Sequence, residues 1–287
     1  LAMGSIKKIF KKTVKTIKNV VKTAVNVVQK AVSWLQPSFP TFPESSFGDS
    51  PMDSYEKGLL INKQSNDANI PVIYGERLIG GTRVFVQTGG SSNLNLYVAL
   101  VLSEGEINSV EQIFINDRLI SWNGALTHGS VRQTTQGAKN YYVRRTYANF
   151  SLIRAQCFMG KDNQTASSLL SEASGWNANH RLRGLAYIGF RFRYREGYWE
   201  QGIPRIKVKI KGKKVVTLNS SLVESSPTYS TNPAFCILDY LRNERYGKGI
   251  PTADIDLQSF YDASQVCVTQ VTPFSGGSQI NLFDTNA

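Results

Sequence analysis

Residues 232–267 read "NPAFCILDYLRNERYGKGIPTADIDLQSFYDASQVC", and two short helices can be drawn from them, ends included. Asn232 is a good N-cap because its side chain can accept from the free N–H groups of the first turn. Pro233 follows at the first helical position, where its fixed φ fits and its missing N–H costs nothing. Phe235, Leu238 and Leu241 recur on one face. Gly247, with Gly249 and Pro251 beyond it, predicts the stop, Gly247 taking the left-handed conformation that usually ends a helix. A second helix is expected from Asp254 or Asp256, turning Leu257, Phe260, Tyr261 and Cys267 toward the first.

Upstream the texture is different. Residues 217–231, "TLNSSLVESSPTYST", are loop-like, and from about residue 59 to 216 short β-rich runs alternate with turn residues. These include "IPVIYGERLIGGTRVFVQTGG", "NLYVALVLSEGEI", "VEQIFINDRLIS", "KNYYVRRTYANFSLIRAQCF" and "RGLAYIGFRFRYRE". Asn116-Asp117 between apolar runs is a two-residue hairpin signal, since both residues tolerate positive φ. One helix is expected inside this region at "NQTASSLLSEASG", capped near Asn163 or Thr165 and stopped by Gly175. The fold class is therefore mainly β with α elements (α+β), the β region being predominantly antiparallel.

The first 36 residues form a third kind of segment. In "SIKKIFKKTVKTIKNVVKTAVNVVQKAVSWLQP" the residues Phe10, Val14, Ile17, Val21, Ala24, Val28, Ala31 and Leu35 alternate three- and four-residue steps, the rhythm of an amphipathic helix with one seam. Val and Thr are moderate helix formers, so this helix needs a partner to bury its stripe. Residues 37–58 then read as a Pro/Ser-rich extended connector carrying Phe39, Phe42 and Phe47. The remaining boundaries are a β-rich domain at 59–216, the loop at 217–231, and at 232–287 the two-helix element with the start of a further domain.

Charge sharpens the picture. The chain of 287 residues has a formal net charge of +12, but eight lysines lie in residues 1–43, before the first carboxylate at Glu44. Removing them leaves 12 − 8 = +4 for the rest, too little for a broad basic face, so no specific nucleic-acid binding is expected. Two strands do carry cations on alternate positions: Arg191, Arg193 and Arg195 between aromatics, and Lys207, Lys209 and Lys211 between Ile and Val. Each set is either a solvated face that discourages edge pairing or a docking face for an acidic partner. No apolar run approaches the ~20 residues that cross a bilayer, and polar residues interrupt every candidate signal-peptide core.

Catalytic chemistry finds no constellation. His128 and His180 lie in polar loops without a metal-ligand partner at helical spacing, and both read as solvated. Gly80-Gly81 and Gly89-Gly90 flank a strand and suit turns better than a phosphate cradle. Glu104 with Glu106, and Glu196 with Glu200, supply carboxylates for glycan hydrolysis only if tertiary structure pairs them, and Trp199 beside the second pair reads as core. Cys157, Cys236 and Cys267 are an odd, widely spaced set, expected as reduced thiols packed in the core. No cofactor, metal or enzymatic activity is expected.

The segment 232–267 resembles the tip attachment (host specificity) protein J family, the central tail-tip hub proteins of long-tailed bacteriophages. The matching residues are Asn232-Pro233-Ala234, Phe235-Cys236, the Leu-rich helix, Arg245-Tyr246-Gly247-x-Gly249 and the second helix ending in Cys267. "IPVIYGERLIGGTRVFV" with "NLYVALVLSEGEI", and "LRGLAYIGFRF" with "GIPRIKVKIKG", are similar to the family's strands, so the likeness runs over roughly 59–270. It implies a structural virion protein at the tail tip: a homotrimeric hub closing the distal end of the tail tube, in contact with the distal tail protein and the tape measure protein. Asn232, Pro233, Cys236, Tyr246, Gly247 and Gly249 would be its structural motif. The Lys-rich helix lies outside the matched pattern. Its strict spacing suits packing on protein, while the alternative is a membrane-active protein that lays this helix on the bacterial envelope, a host membrane contact.

Overall fold

The computed structural model describes residues 69–90, 93–134, 152–194, 202–273 and 277–285. The helix expected over 1–36, the connector 37–58, Arg195, Glu196, Trp199 and Glu200 lie outside the described residues.

Twelve strands and two helices follow one another along the described chain. The larger strands are β1 (Glu76–Ile79), β2 (Thr82–Gly89), β3 (Asn95–Glu104), β4 (Ile107–Ile115), β7 (Ile153–Met159), β8 (Leu185–Arg193) and β9 (Ile206–Val215). Short strands are β5 (Arg118–Leu119), β6 (Val131–Gln133), β10 (Thr228–Tyr229), β11 (Gln270–Val271) and β12 (Ile280–Asn281). Helix α1 spans Pro233–Arg242 and α2 spans Leu257–Cys267.

One five-stranded sheet runs β2-β3-β8-β7-β6 and a second runs β1-β9-β4-β5, with β10 also on β9. Every named strand pair is antiparallel. The β4–β5 hairpin turns at Asn116 and Asp117, both at positive φ (48° and 63°), as their side chains allow. Strand β9 alternates: Ile206, Val208 and Ile210 are buried while Lys207, Lys209 and Lys211 face outward. Strand β3, "NLYVALVLSE", is buried from Tyr97 to Ser103 without a break, which marks a strand covered on both faces.

Both covers are visible. On one side Val98, Leu100, Ile188 and Phe190 of the first sheet share a core with Ile113, Ile115, Val208 and Ile210 of the second. On the other side Tyr97, Tyr187 and Phe158 pack under Leu170, Ala173 and Trp176 from the loop between β7 and β8. Phe158 and Tyr187 stack at 4.6 Å, and Phe85 meets Trp176 edge-on at 5.2 Å. Each fully buried side chain of this size contributes roughly 1.5–3 kcal/mol relative to exposure.

That covering loop corrects one expectation. No α-helix forms over 163–175; the segment makes only a 3-10 turn, Leu170–Glu172. The reason is local competition for backbone groups. Gln156 Oε1, buried on β7, accepts from Ser167 Oγ (2.6 Å) and Leu169 N (3.1 Å), while Ser167 Oγ accepts from Leu170 N (3.1 Å). Gln164 likewise spends its amide on the carbonyls of Arg181, Leu182 and Leu185. Serine and glutamine satisfy the chain in a non-helical path, and the sheet face supplies the burial. Gly189 of β8 permits the close approach, because a Cβ there would lie 2.8 Å from Leu170 Cγ.

Candidate functional site

The two-helix element forms as the sequence implies, with more at its start than a cap. Asn232 Oδ1 accepts from Ala234 N (3.0 Å), and its Nδ2 donates to the Ser264 carbonyl of α2 (3.0 Å). One buried side chain thus starts α1 and ties it to α2. Removing such a cap typically costs ~1 kcal/mol. Asp256 caps α2 through Gln258 N and Ser259 N. Phe235, Cys236 and Leu238 pack with Tyr74, Val215 and Leu218 into a third small core that seats α1 against the strands, with Leu257, Phe260 and Tyr261 at its margin.

The end of α1 differs from expectation. The helix stops at Arg242 with Asn243 as its cap, and Gly247 is not in the left-handed region; Gly249 is, at φ +63°. The chain after Asn243 folds back over the last turn and satisfies its carbonyls. Lys248 N donates to Tyr240 O (3.1 Å), Ile250 N to Leu241 O (2.9 Å), and both Gly247 N and Gly249 N to Asn243 O. Gly247 is required for this closeness: a Cβ on it would sit 1.8 Å from the Tyr240 carbonyl oxygen.

A polar cluster locks the element in place. Asp239 of α1 accepts from Tyr74 Oη (2.5 Å) and Tyr246 Oη (2.7 Å) on one oxygen, and from Lys213 Nζ (3.0 Å) on the other. Lys213 also lies over the Tyr246 ring. Burial, then the hydrogen bond to Asp239, pushes both phenols far above their ordinary range, so they remain donors. Arg245 adds an ion pair to Glu104. Sequence reasoning picked out Tyr246 but missed Asp239, Tyr74 and Lys213. The available signal was Asp239 itself, a carboxylate four residues after Phe235 on the face that α1 buries.

The two basic rows occupy different sheets. Arg191 and Arg193 lie on β8 of the first sheet, where Arg191 is paired in register with Tyr97 and Arg154, and burial lowers its guanidinium pKa. Lys207, Lys209 and Lys211 lie on β9 of the second. Lys207 pairs with Asp117 (2.6 Å), Lys209 with Glu76, and Lys211 sits 5.8 Å from the centre of the Tyr229 ring. The Lys207 hydrogen bond holds the Asp117 carboxyl below its usual range, and Arg205 adds a second cation at 2.9 Å. Carboxylates of the same chain therefore already answer two of the three lysines.

The histidines are anchored more firmly than loop residues usually are. His128 Nδ1 accepts from Met159 N (3.1 Å) and its ring meets Phe158 edge-on; burial depresses its pKa. His180 stacks on Trp176 at 5.0 Å. All three cysteines are free and buried, with burial pushing Cys157 up to about 12 and Cys236 up to about 11. A thiol-reactive probe at neutral pH is expected to label none of them rapidly until denaturant is added. Stoichiometric native labelling of all three would contradict this packing. Among the described residues no three His, Cys, Asp or Glu side chains gather as metal donors, and no helix is long and apolar enough to cross a membrane. What these residues do chemically is hold elements together.

Over 232 residues the chain is 25% identical to Baseplate hub protein pb3 of Escherichia phage T5, an alignment covering 69% of this chain and 24% of that protein. The similarity is that of a distant homologue, and the chain spans about a quarter of its relative's length. No protein-family model matches. Among solved structures, a chain from the virion of a native gene transfer agent particle superposes with a TM-score of 0.35 and 14% identity, over 77% of this chain and 40% of that one.

Proposed function

We infer that this chain is a structural, non-enzymatic component of a phage tail baseplate, working as a hub at the tail tip. The observation that carries the proposal is the alignment with a phage baseplate hub protein over 232 residues. The finer content rests on the likeness of residues 232–267 to the protein J family: a homotrimer at the distal end of the tail tube, meeting the distal tail and tape measure proteins. A body whose polar side chains brace helices and strands suits a load-bearing role. Gold-labelled antibody against the chain, applied to intact particles, is expected to mark the tail end farthest from the capsid. Label on the capsid, or on no particle, overturns the proposal.

The uncompensated lysines of residues 1–43 favour a second reading in which the N-terminal segment meets an anionic membrane. Its cations crowd into the first half, from Lys7 to Lys22, whereas a helix lying along lipid would spread them over its length. Packing on protein is the better account. Val21→Asp with Val28→Asp should abolish tip assembly while residues 59–270 stay folded. Normal assembly with loss only of anionic-vesicle binding would decide for the membrane.

A further inference from the structure

The chain has two histidines, the side-chain type whose ordinary charge change falls between about pH 5 and 8, and the fold holds them in opposite ways. His128 lies in the loop between β5 and β6, where it pairs in parallel with Cys157 and continues the edge of the first sheet past the β6–β7 ladder. Three bonds fasten this stretch to β7. Gly129 N donates to Cys157 O (2.8 Å), Gln156 Nε2 donates to Gly129 O (2.7 Å), and Met159 N donates to His128 Nδ1 (3.1 Å).

The third bond differs from the others in kind. A backbone N–H can only donate, so Nδ1 must offer a lone pair and the proton of the neutral ring sits on Nε2. A second proton would set Nδ1–H against Met159 N–H, two donors 3.1 Å apart. The bond is then lost and a strand N–H is left facing another donor, which costs more than the bond itself. His180 is placed differently. Its Nδ1 lies 3.0 Å from Asn177 N but also 3.1 Å from Asn177 Oδ1, so an added proton meets an acceptor, and the Trp176 ring stacked on it suits a cation.

The surroundings of His128 work in the same direction as its bond. The ring abuts Phe158 at 5.5 Å, and burial first, then Lys161 just past β7, disfavours the charged form, while Glu106 in the β3–β4 turn favours it. Arg132 of β6 is held by Ala125 O (2.7 Å) in the same loop. Cys157 and Tyr187, titratable groups on the strands beneath, are pushed up by burial and stay neutral.

We propose that His128 is an acid-released latch on β7: its neutral imidazole holds the 125–130 loop closed, and protonation opens the loop and bares Cys157 O and Met159 N. A strand edge exposed in this way is a template for pairing with another strand. The closed loop holds the imidazole pKa below its ordinary value of about 6.5, and the open loop restores it. The closed form is therefore fully favoured above about pH 6.5 and loses ground as the pH falls from there through the depressed value. The latch rests on His128 and β7 alone, so it stands or falls separately from the hub reading.

The test is hydrogen exchange of the full chain, corrected for intrinsic amide rates and referred to the amides of β3 and β9. Between about pH 7.5 and about pH 5.5, protection of peptides covering 125–130 and 157–160 is expected to fall several-fold, with about tenfold as the ceiling for one proton taken up on opening. His128→Asn puts an amide oxygen where Nδ1 stands, and should keep the protection seen at the higher pH while removing its pH dependence. His180→Asn should leave that dependence intact. Nitrogen NMR of the wild-type rings needs no variant and should find the His128 proton on Nε2 at neutral pH. Should His128→Asn fail to fold, wild-type exchange and the NMR reading decide. Equal wild-type protection at both pH values, a fall that persists in His128→Asn, or a neutral His128 ring protonated on Nδ1 overturns the latch.

Discussion

Replacing Gly247 by valine is expected to destabilise the protein by about 3 kcal/mol, at the upper end of overpacking effects. The cause is contact rather than backbone preference. A Cβ on Gly247 would fall 1.8 Å from Tyr240 O and 2.7 Å from Asn243 O, and both are main-chain atoms of the helix end that this turn caps. Neither can swing aside as a side chain would. Moving the turn also pulls Tyr246 away from Asp239, leaving that carboxylate and Lys213 less well satisfied. Gly249→Ala provides the contrast. Gly249 does hold positive φ, at +63°, but the nearest atom to its Cβ would be 3.5 Å away, so only the ~1–2 kcal/mol backbone penalty applies. Thermal unfolding should order the proteins as wild type, Gly249→Ala, then Gly247→Val. Equal melting of wild type and Gly247→Val would mean that the turn does not lie over the helix end.

Phe190→Ala should be costlier, about 3–5 kcal/mol. Phe190 is fully buried on β8, the middle strand of its sheet, opposite Val98 on one neighbour and Ala155 on the other. Its ring stacks on Phe192 at 5.5 Å within the core that the two sheets share. Truncation opens a cavity between two sheets whose strands are hydrogen-bonded laterally and so cannot close in to fill it. A melting temperature lower by roughly 10 °C is expected from calorimetry for a chain of this size. A loss under ~2 kcal/mol would indicate that the sheets do not meet at Phe190.

These two sites show how far local sequence could be read. The caps at Asn232 and Asp256, the hairpin at Asn116-Asp117 and the alternation of Ile206 to Lys211 depend on residues within a few positions of one another. Short-range geometry determines them, so composition and spacing were enough for all but the choice between Asp254 and Asp256 as the second cap. Three buried free cysteines followed from the same kind of argument, because unpaired thiols without a metal-ligand pattern belong in apolar surroundings.

Other features were settled only by chain partners far away in sequence. A cap at Asn163 or Thr165 and a stop at Gly175 suit a helix, but Gln156 on β7 takes the hydrogen bonds of Ser167 and Leu169 and the sheet face takes Leu170, so tertiary burial overrides propensity. Gly247 looked like a left-handed stop, and its true constraint is a carbonyl seven residues earlier brought close by the returning turn. Which cations share a face depends on strand order: β8 and β9 are separated by 12 residues yet belong to different sheets. The Asp239 cluster joins Tyr74, Lys213 and Tyr246 across as many as 165 positions. By itself, then, the sequence determined where the two helices of 232–267 and the Asn116-Asp117 hairpin start, and that the β9 isoleucines and the three cysteines avoid water. Partnership among distant groups required the folded chain, since hydrogen bonds and contacts act over a few ångströms in space and leave no periodic trace along the backbone.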